Sequence, residues 1–212
     1  MAPDINIYRL SVAPRIEYRE QIEKQMRKLA RSLPAWENFG KDVKGFGELG
    51  MAVIVGECGD LANYDGPAKV WKRLGLSPYD GHAAKTWMID KWRPRALTKD
   101  EWKSLGYSPQ RRAEIFAVIG DPLFRAQTAA LKRGGSGHYI LDAQPGSAAP
   151  YRAAYDARRE RTAETHPDWG KMHSHMDALR IMTKGLIRDL WCAWNDRPVV
   201  ADGETWQARV AA

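Results

Sequence analysis

The chain has 212 residues, with 33 lysines and arginines against 26 aspartates and glutamates, which gives a formal net charge of +7 and a pI near 9.4. This length suits one large or two small domains, and a basic balance favours polyanionic partners such as nucleic acid. No apolar run reaches transmembrane length and no leader pattern opens the chain, so we expect a cytoplasmic protein without a membrane partner. Neither Cys58 nor Cys192 has a CxxC partner, so neither a zinc site nor a disulfide framework is indicated.

The first 34 residues are predicted to form an extension followed by a helix. Residues 1–14 hold two prolines and little pattern, which indicates an extended segment. From about Ile16 to Leu33, apolar residues at spacings of three and four predict a helix, which Pro34 ends. Its basic residues form either a solvated face, which we favour, or a ridge that faces phosphates. They are Lys24, Arg27, Lys28 and Arg31.

The central feature is the segment 43–55, where two glycines separated by one phenylalanine join two predicted helices. The three turn residues are Gly45, Phe46 and Gly47. Glycine lets the chain reverse at positive φ, and the phenylalanine is expected to insert between the helices. The N–H groups of such a turn can bind phosphate at a helix N-terminus, and Lys41 and Lys44 lie beside it. The pattern predicts a helix-hairpin-helix, which binds nucleic-acid backbone, and an ordinary helical hairpin is the alternative.

Two further basic segments are predicted to extend this site. Residues 79–97 are irregular and mix basic side chains with Trp87 and Trp92, which is typical of nucleic-acid contacts or of a loop fixed by buried tryptophans. The basic residues there are Lys85, Lys91, Arg93 and Arg95. Arg111 and Arg112, on a later helix, are added to the same predicted interface.

The predicted fold class is mainly α, a helical domain that contains the helix-hairpin-helix and a long C-terminal helix. Proline in the first turn predicts helix starts at Asp65–Pro67, Ser108–Pro109 and Asp121–Pro122. Later helices are predicted from Tyr151 to Thr165 and from Lys171 to Trp194, the latter with an apolar stripe that begins at Met172. The four predicted parts are the extension at 1–34, the helix-hairpin-helix domain at 35–133, a flexible connection at 134–150, and helices at 151–212 that complete the same domain.

Several motifs between residues 43 and 78 resemble one protein family. Val43–Gly47, Gly56–Leu61 and Gly75–Pro78 are similar in sequence and spacing to Pro-Gly-Ile-Gly, Glu-Ile-Gly-Asp and Gly-Leu-Thr-Pro motifs. That family comprises insertion-sequence transposases that pair a RuvC-like nuclease domain with a C-terminal helix-hairpin-helix domain bearing a catalytic serine. Looser similarity continues to about residue 194. The resemblance implies a helical DNA-binding domain from a mobile element or prophage.

Two departures from the family argue against its chemistry. Residues 1–40 show no strand–acid pattern of a RuvC-like nuclease, and residues 78–85, at the place of the catalytic serine, contain no serine. Attack on a phosphodiester by a side chain needs an activated hydroxyl. Ser136 beside His138 is an alternative nucleophile, although a linker explains these residues more simply. We therefore lean against an enzyme, and no cofactor or metal is predicted.

Three functions are compatible with the sequence. The preferred one is a non-catalytic nucleic-acid-binding protein, with DNA as the expected ligand and RNA as the alternative. The second is a divergent transposase or recombinase subunit that works in DNA recombination with a separate nuclease domain. The third is a protein–protein interaction module of a mobile element, such as an inhibitor of host defence. A homo-oligomer is compatible with all three.

Overall fold

The computed structural model describes residues 4–77, 108–132 and 150–199, which form helices joined by turns with no strand among them. The mainly α fold class and the long C-terminal helix are therefore confirmed. The helices are α1 (Asp4–Arg31), α2 (Pro34–Asn38), α3 (Glu48–Cys58), α4 (Pro67–Arg73), α5 (Pro109–Ile115), α6 (Asp121–Lys132), α7 (Pro150–Thr165) and α8 (Lys171–Trp194). No helix within these three ranges is both long and apolar enough to span a membrane.

Helix α8 forms the centre of the fold. It contacts α2, α4, α6, α7 and a segment between α5 and α6, and its Leu186, Ile187 and Leu190 are fully buried. The predicted apolar stripe is wrong at Met172, whose side chain is 70% exposed. Residues 163–165 at the end of α7 and residues 171–173 at the start of α8 are all exposed, so Met172 lies outside the core.

Helix α1 begins earlier than the sequence predicted. The extended segment expected at 1–14 is wrong from Asp4 onward, because the helix includes Pro14 in its interior. A proline inside a helix removes one backbone hydrogen bond and bends the axis. Residues 13–22 are all exposed, so a bend there disturbs no packed contact. The C-terminal part of α1, around the buried Ala30, packs against the body, mainly on α3.

Residues 109–132 form one continuous helix rather than two. Ser108 caps its start as predicted, since its Oγ accepts a hydrogen bond from the Arg111 N–H at 3.2 Å. The separate start expected at Asp121–Pro122 is wrong, because a π turn at Phe116–Gly120 joins α5 to α6. The Asp121 N–H donates to the Phe116 carbonyl, and this wider turn leads directly into Pro122, which has no N–H to donate.

Two predicted segments lie outside the described residues. The basic segment 79–97 is one of them, and the flexible connection at 134–150 is the other, except for Pro150, the first residue of α7. Helix α4 begins at Pro67 with Gly66 as its cap, and α8 spans Lys171–Trp194 as predicted.

Candidate nucleic-acid interface

The segment before the glycine turn is not the single helix that the pattern predicted. Helix α2 ends at Asn38, and a short 3-10 turn spans Gly40–Asp42 before the chain becomes extended at Val43. The second helix of the predicted pair, α3, begins at Glu48. The turn at residues 43–47 therefore joins a 3-10 turn, rather than a regular α-helix, to α3.

The two turn glycines have different roles. Gly45 has φ +90°, the left-handed conformation that the sequence predicted, whereas Gly47 has φ −102° and is extended. A Cβ on Gly45 would lie 2.8 Å from both the Leu123 Cα and the Ala126 Cβ, so this residue also packs closely against α6. A Cβ on Gly47 would meet nothing within 4 Å. The turn is therefore packed against protein at Gly45 and open to solvent at Gly47.

Phe46 supports the turn from the inside. Its side chain is 5% exposed, and its ring lies 6.1 Å from the Trp36 ring, centroid to centroid. The same ring packs against Gly50 in α3, and a Cβ added to Gly50 would lie 3.0 Å from the ring. The Phe46 N–H donates to the Val43 carbonyl at 3.0 Å. Neither the ring nor the amide of Phe46 therefore faces a ligand.

The N-terminus of α3 already carries a negative charge. Glu48 is its first residue, and its Oε1 accepts a hydrogen bond from the Arg31 Nε at 2.9 Å, while its Oε2 lies 3.9 Å from Arg27. The hydrogen bond from Arg31 and a second from its own backbone N–H lower the pKa of Glu48. Because carboxylates and phosphates favour the same helix end, a phosphate bound here would compete with Glu48.

We use the name basic edge for Lys24, Arg27, Lys28 and Arg31 of α1 together with Lys44, which precedes the start of α3 that Arg31 contacts through Glu48. The four on α1 follow one another at spacings of three, one and three residues, which places them on one side of the helix over about 10 Å. The three lysines are exposed, and none forms an ion pair with a carboxylate of the described residues. An open groove along this side of α1 is lined by Gln21, Lys24, Gln25, Lys28 and Arg31.

Lys41 is exposed but engaged, because its Nζ lies 2.9 Å from Glu37 Oε2 and that hydrogen bond raises the pKa of Lys41. The other predicted basic residues of the loop, Lys85, Lys91, Arg93 and Arg95, lie outside the described ranges.

Arg111 and Arg112 make contacts within the protein. Arg111 pairs with the Glu57 carboxylate of α3 and donates to the Arg73 carbonyl at 3.0 Å. Arg112 donates to the Gly75 carbonyl at 2.7 Å, and its guanidinium lies 4.9 Å from the Phe116 ring centroid. The last carbonyls of a helix lack helical N–H partners, and these arginines supply donors at the end of α4. Both arginines therefore stabilise the packing of α5 on neighbouring segments, and neither belongs to the basic edge.

A buried glutamine connects the turn to α6 and α7. Gln127 is fully buried, and its Oε1 accepts hydrogen bonds from the Tyr151 and Arg152 N–H groups at 3.1 and 2.9 Å. Its Nε2 donates to the Lys44 carbonyl at 3.4 Å. The sequence predicted no role for this residue. Its position gives a signal in the sequence, because a polar side chain four residues after Leu123 lies on the same, buried side of the helix and must find hydrogen-bond partners there.

The chain matches no protein-family model, no curated protein and no solved structure. The resemblance of residues 43–78 to the transposase domain therefore stays a prediction. Within the three described ranges, no three His, Cys, Asp or Glu side chains are grouped so that they could hold a metal ion.

Proposed function

We propose that the protein binds nucleic acid, with DNA as its principal ligand, through contacts between the basic edge and the sugar–phosphate backbone. The observation that carries this proposal is the exposure of Lys24, Lys28 and Lys44 without carboxylate partners among the described residues. Lysines of this kind are compact point charges that attract phosphates without reading bases. The net charge of +7 supports the same ligand class.

The arginines of the edge contribute differently from the lysines. Arg27 and Arg31 flank the first turn of α3, but Glu48 neutralises part of their charge. The structure therefore favours phosphate contacts by side chains of the edge over the contact by the turn amides that the sequence suggested. Gly47, which is exposed, is the turn residue that remains accessible beside this surface.

The motif resemblance supports a mobile-element origin for this DNA-binding surface. We do not extend the proposal to strand exchange, because the family's serine position falls in residues 78–85, where no serine is present. The proposed activity is binding alone.

A salt titration with a charge-reversal variant tests the proposal. Contacts to about four phosphates predict that log K falls with log salt at a slope of about −4 on duplex DNA. Lys28→Glu should weaken binding about tenfold at low salt, equally on unrelated sequences, and make that slope shallower. The matched control is Lys171→Glu, the same charge change at an exposed lysine of α8. If fluorescence anisotropy gives Lys28→Glu and wild type the same affinity for DNA, the basic edge is not part of the interface.

A second candidate, a protein-interaction module, is favoured by the apolar side chains of α1. Leu10, Tyr18 and Leu29 are 76%, 67% and 68% exposed, which is unusual for large apolar residues on one helix. Two results together would favour this function over the first. Sedimentation equilibrium would show a mass that rises with concentration in wild type but not in Tyr18→Glu, and wild type would show no affinity for DNA.

A further inference from the structure

Lys184 lies on α8 where this helix meets α4, and Arg180 lies one turn earlier on the same helix. The Lys184 Nζ lies 4.5 Å from the centroid of the Trp71 ring, and the Trp71 Nε1–H donates to the Lys184 carbonyl at 3.0 Å. Trp71 of α4 thus contacts both the side chain and the backbone of this lysine. The ammonium lies over the ring face, the favoured side for a cation.

The neighbours of Lys184 are mainly cationic. Arg180 of α8 and Arg112 of α5 both act electrostatically against its protonated form, and Asp177 is the acidic group that opposes them. Both oxygens of Asp177 are already used, since Oδ1 accepts from Arg180 at 2.6 Å and Oδ2 from Arg158 at 2.5 Å. Asp177 therefore has both carboxylate oxygens paired with arginines and forms no ion pair with Lys184.

Lys184 itself has no carboxylate or hydrogen-bond acceptor within the part of the chain that the structure describes. It is half-buried, and burial together with the nearby Arg180 and Arg112 lowers its pKa to about 8. Partly desolvated like charges destabilise the free protein, and a bound anion would remove that cost. The arrangement therefore favours an anionic ligand at this position.

We propose that the Lys184 cluster binds a phosphate-class anion, with Lys184 and Arg180 as its charged donors and Trp71 as one wall of the site. The site lies on α4 and α8 and shares no residue with the basic edge, so it does not depend on the function proposed above. Its phosphate could come from a small molecule or from a nucleic-acid backbone, and the experiment separates these sources.

The binding test uses pyrophosphate and isothermal titration calorimetry on the full chain. Wild type should bind pyrophosphate, Lys184→Met should lose at least tenfold in affinity, and Lys184→Arg should stay within a few-fold of wild type. Circular dichroism must show that both variants are folded. A wild-type protein that does not bind pyrophosphate, or a Lys184→Met variant that binds it equally well, would overturn a small-molecule source.

A protection experiment tests the nucleic-acid source on the same lysine. Acylation of each lysine near pH 8 is measured by peptide mass spectrometry, with pyrophosphate, with duplex DNA, or with sodium chloride at equal ionic strength. A bound anion keeps Lys184 protonated, and a protonated amine does not acylate. A rate of Lys184 acylation about tenfold lower, with that of Lys69 unchanged, therefore supports the site. Protection by DNA alone identifies the polymer, and the Lys28→Glu variant shows whether this requires the basic edge. Protection by none of these, or equally by sodium chloride, would contradict the proposal.

Discussion

Replacing Lys184 by methionine should make the protein more stable at neutral pH. Methionine has similar length and can keep the apolar contact with Trp71, but it carries no charge to desolvate. Lowering a lysine pKa from 10.5 to about 8 corresponds to about 3 kcal/mol against the protonated form, at about 1.4 kcal/mol per pKa unit. The lost contact between the ammonium and the Trp71 ring offsets about 1 kcal/mol of this gain. The expected stabilisation is therefore about 2 kcal/mol at pH 7.

The sign of the pH dependence follows from the lowered pKa. Below about pH 8, Lys184 is protonated in both the folded and the unfolded chain, so the folded protein carries the full penalty. As the pH rises from about 8 to 10.5, the folded chain loses this proton first, and the penalty disappears. The stability advantage of Lys184→Met should therefore shrink across this window and vanish above it.

Other groups titrate in the same range with the opposite effect. Burial raises the pKa of the Cys58 thiol to about 11, so its contribution to stability is lost as the pH rises from 9.0 through that value. This contribution is common to wild type and variant, and it cancels when the two are compared at each pH. The difference between the two proteins therefore reports Lys184 alone.

Urea unfolding followed by tryptophan fluorescence at pH 7, 9 and 10.5 is the assay. Lys69→Met is the control, because Lys69 is exposed and its Nζ pairs with Asp65. This variant should show no gain at pH 7. Lower stability of Lys184→Met than of wild type at pH 7, or a gain that does not change with pH, would refute the reasoning.

Two further predictions concern the turn and the start of α3. Glu48→Gln should strengthen DNA binding by about two- to fivefold at low salt, because it frees Arg31 and leaves Arg27 paired with Glu23 alone. The gain should fade as salt screens these charges. Weaker binding in anisotropy titrations would count against the basic edge. Gly45→Ala should destabilise the protein by at least about 2 kcal/mol, because Gly45 has a positive φ and packs closely against α6. Gly47→Ala should cost only about 0.5 kcal/mol, because a Cβ on Gly47 would meet nothing within 4 Å. Similar losses of unfolding free energy in the two variants, measured by urea unfolding, would show that the conformation of Gly45 is not constrained.

The parts of the fold that local signals specify could be predicted from the sequence. Ser108 caps α5, Pro67 begins α4, and α8 spans Lys171–Trp194, because caps, prolines and apolar periodicity act over a few residues. The positive φ of Gly45 was predicted in the same way, from a turn that needs it. Pro14 misled the prediction because its usual meaning, a helix boundary, does not hold in an exposed and loosely packed helix.

The contacts that decide the site depend on residues far apart in the chain. Arg111 pairs with Glu57, 54 residues earlier, and Gln127 contacts the Lys44 carbonyl, 83 residues earlier. No spacing rule connects such pairs, so the sequence could not separate arginines that hold helices together from those that face solvent. The same is true of Glu48, whose position relative to Arg31 depends on how α1 packs on α3.

The distribution of ion pairs, rather than the net charge, indicates where and how the protein would meet a polyanion. Many of the described carboxylates are paired with arginines. Some pairs join two helices, as in Arg31–Glu48, Arg111–Glu57 and Arg158–Asp177, and others lie within one helix, as in Arg152–Asp156 and Arg188–Asp189. Arginine suits these places because its planar group makes several directed hydrogen bonds. Within the described ranges, the lysines without a carboxylate partner include Lys24, Lys28 and Lys44 of the basic edge, and Lys184. Since lysine contributes charge rather than directed base contacts, the basic edge should bind many nucleic-acid sequences with similar affinity and with strong salt dependence.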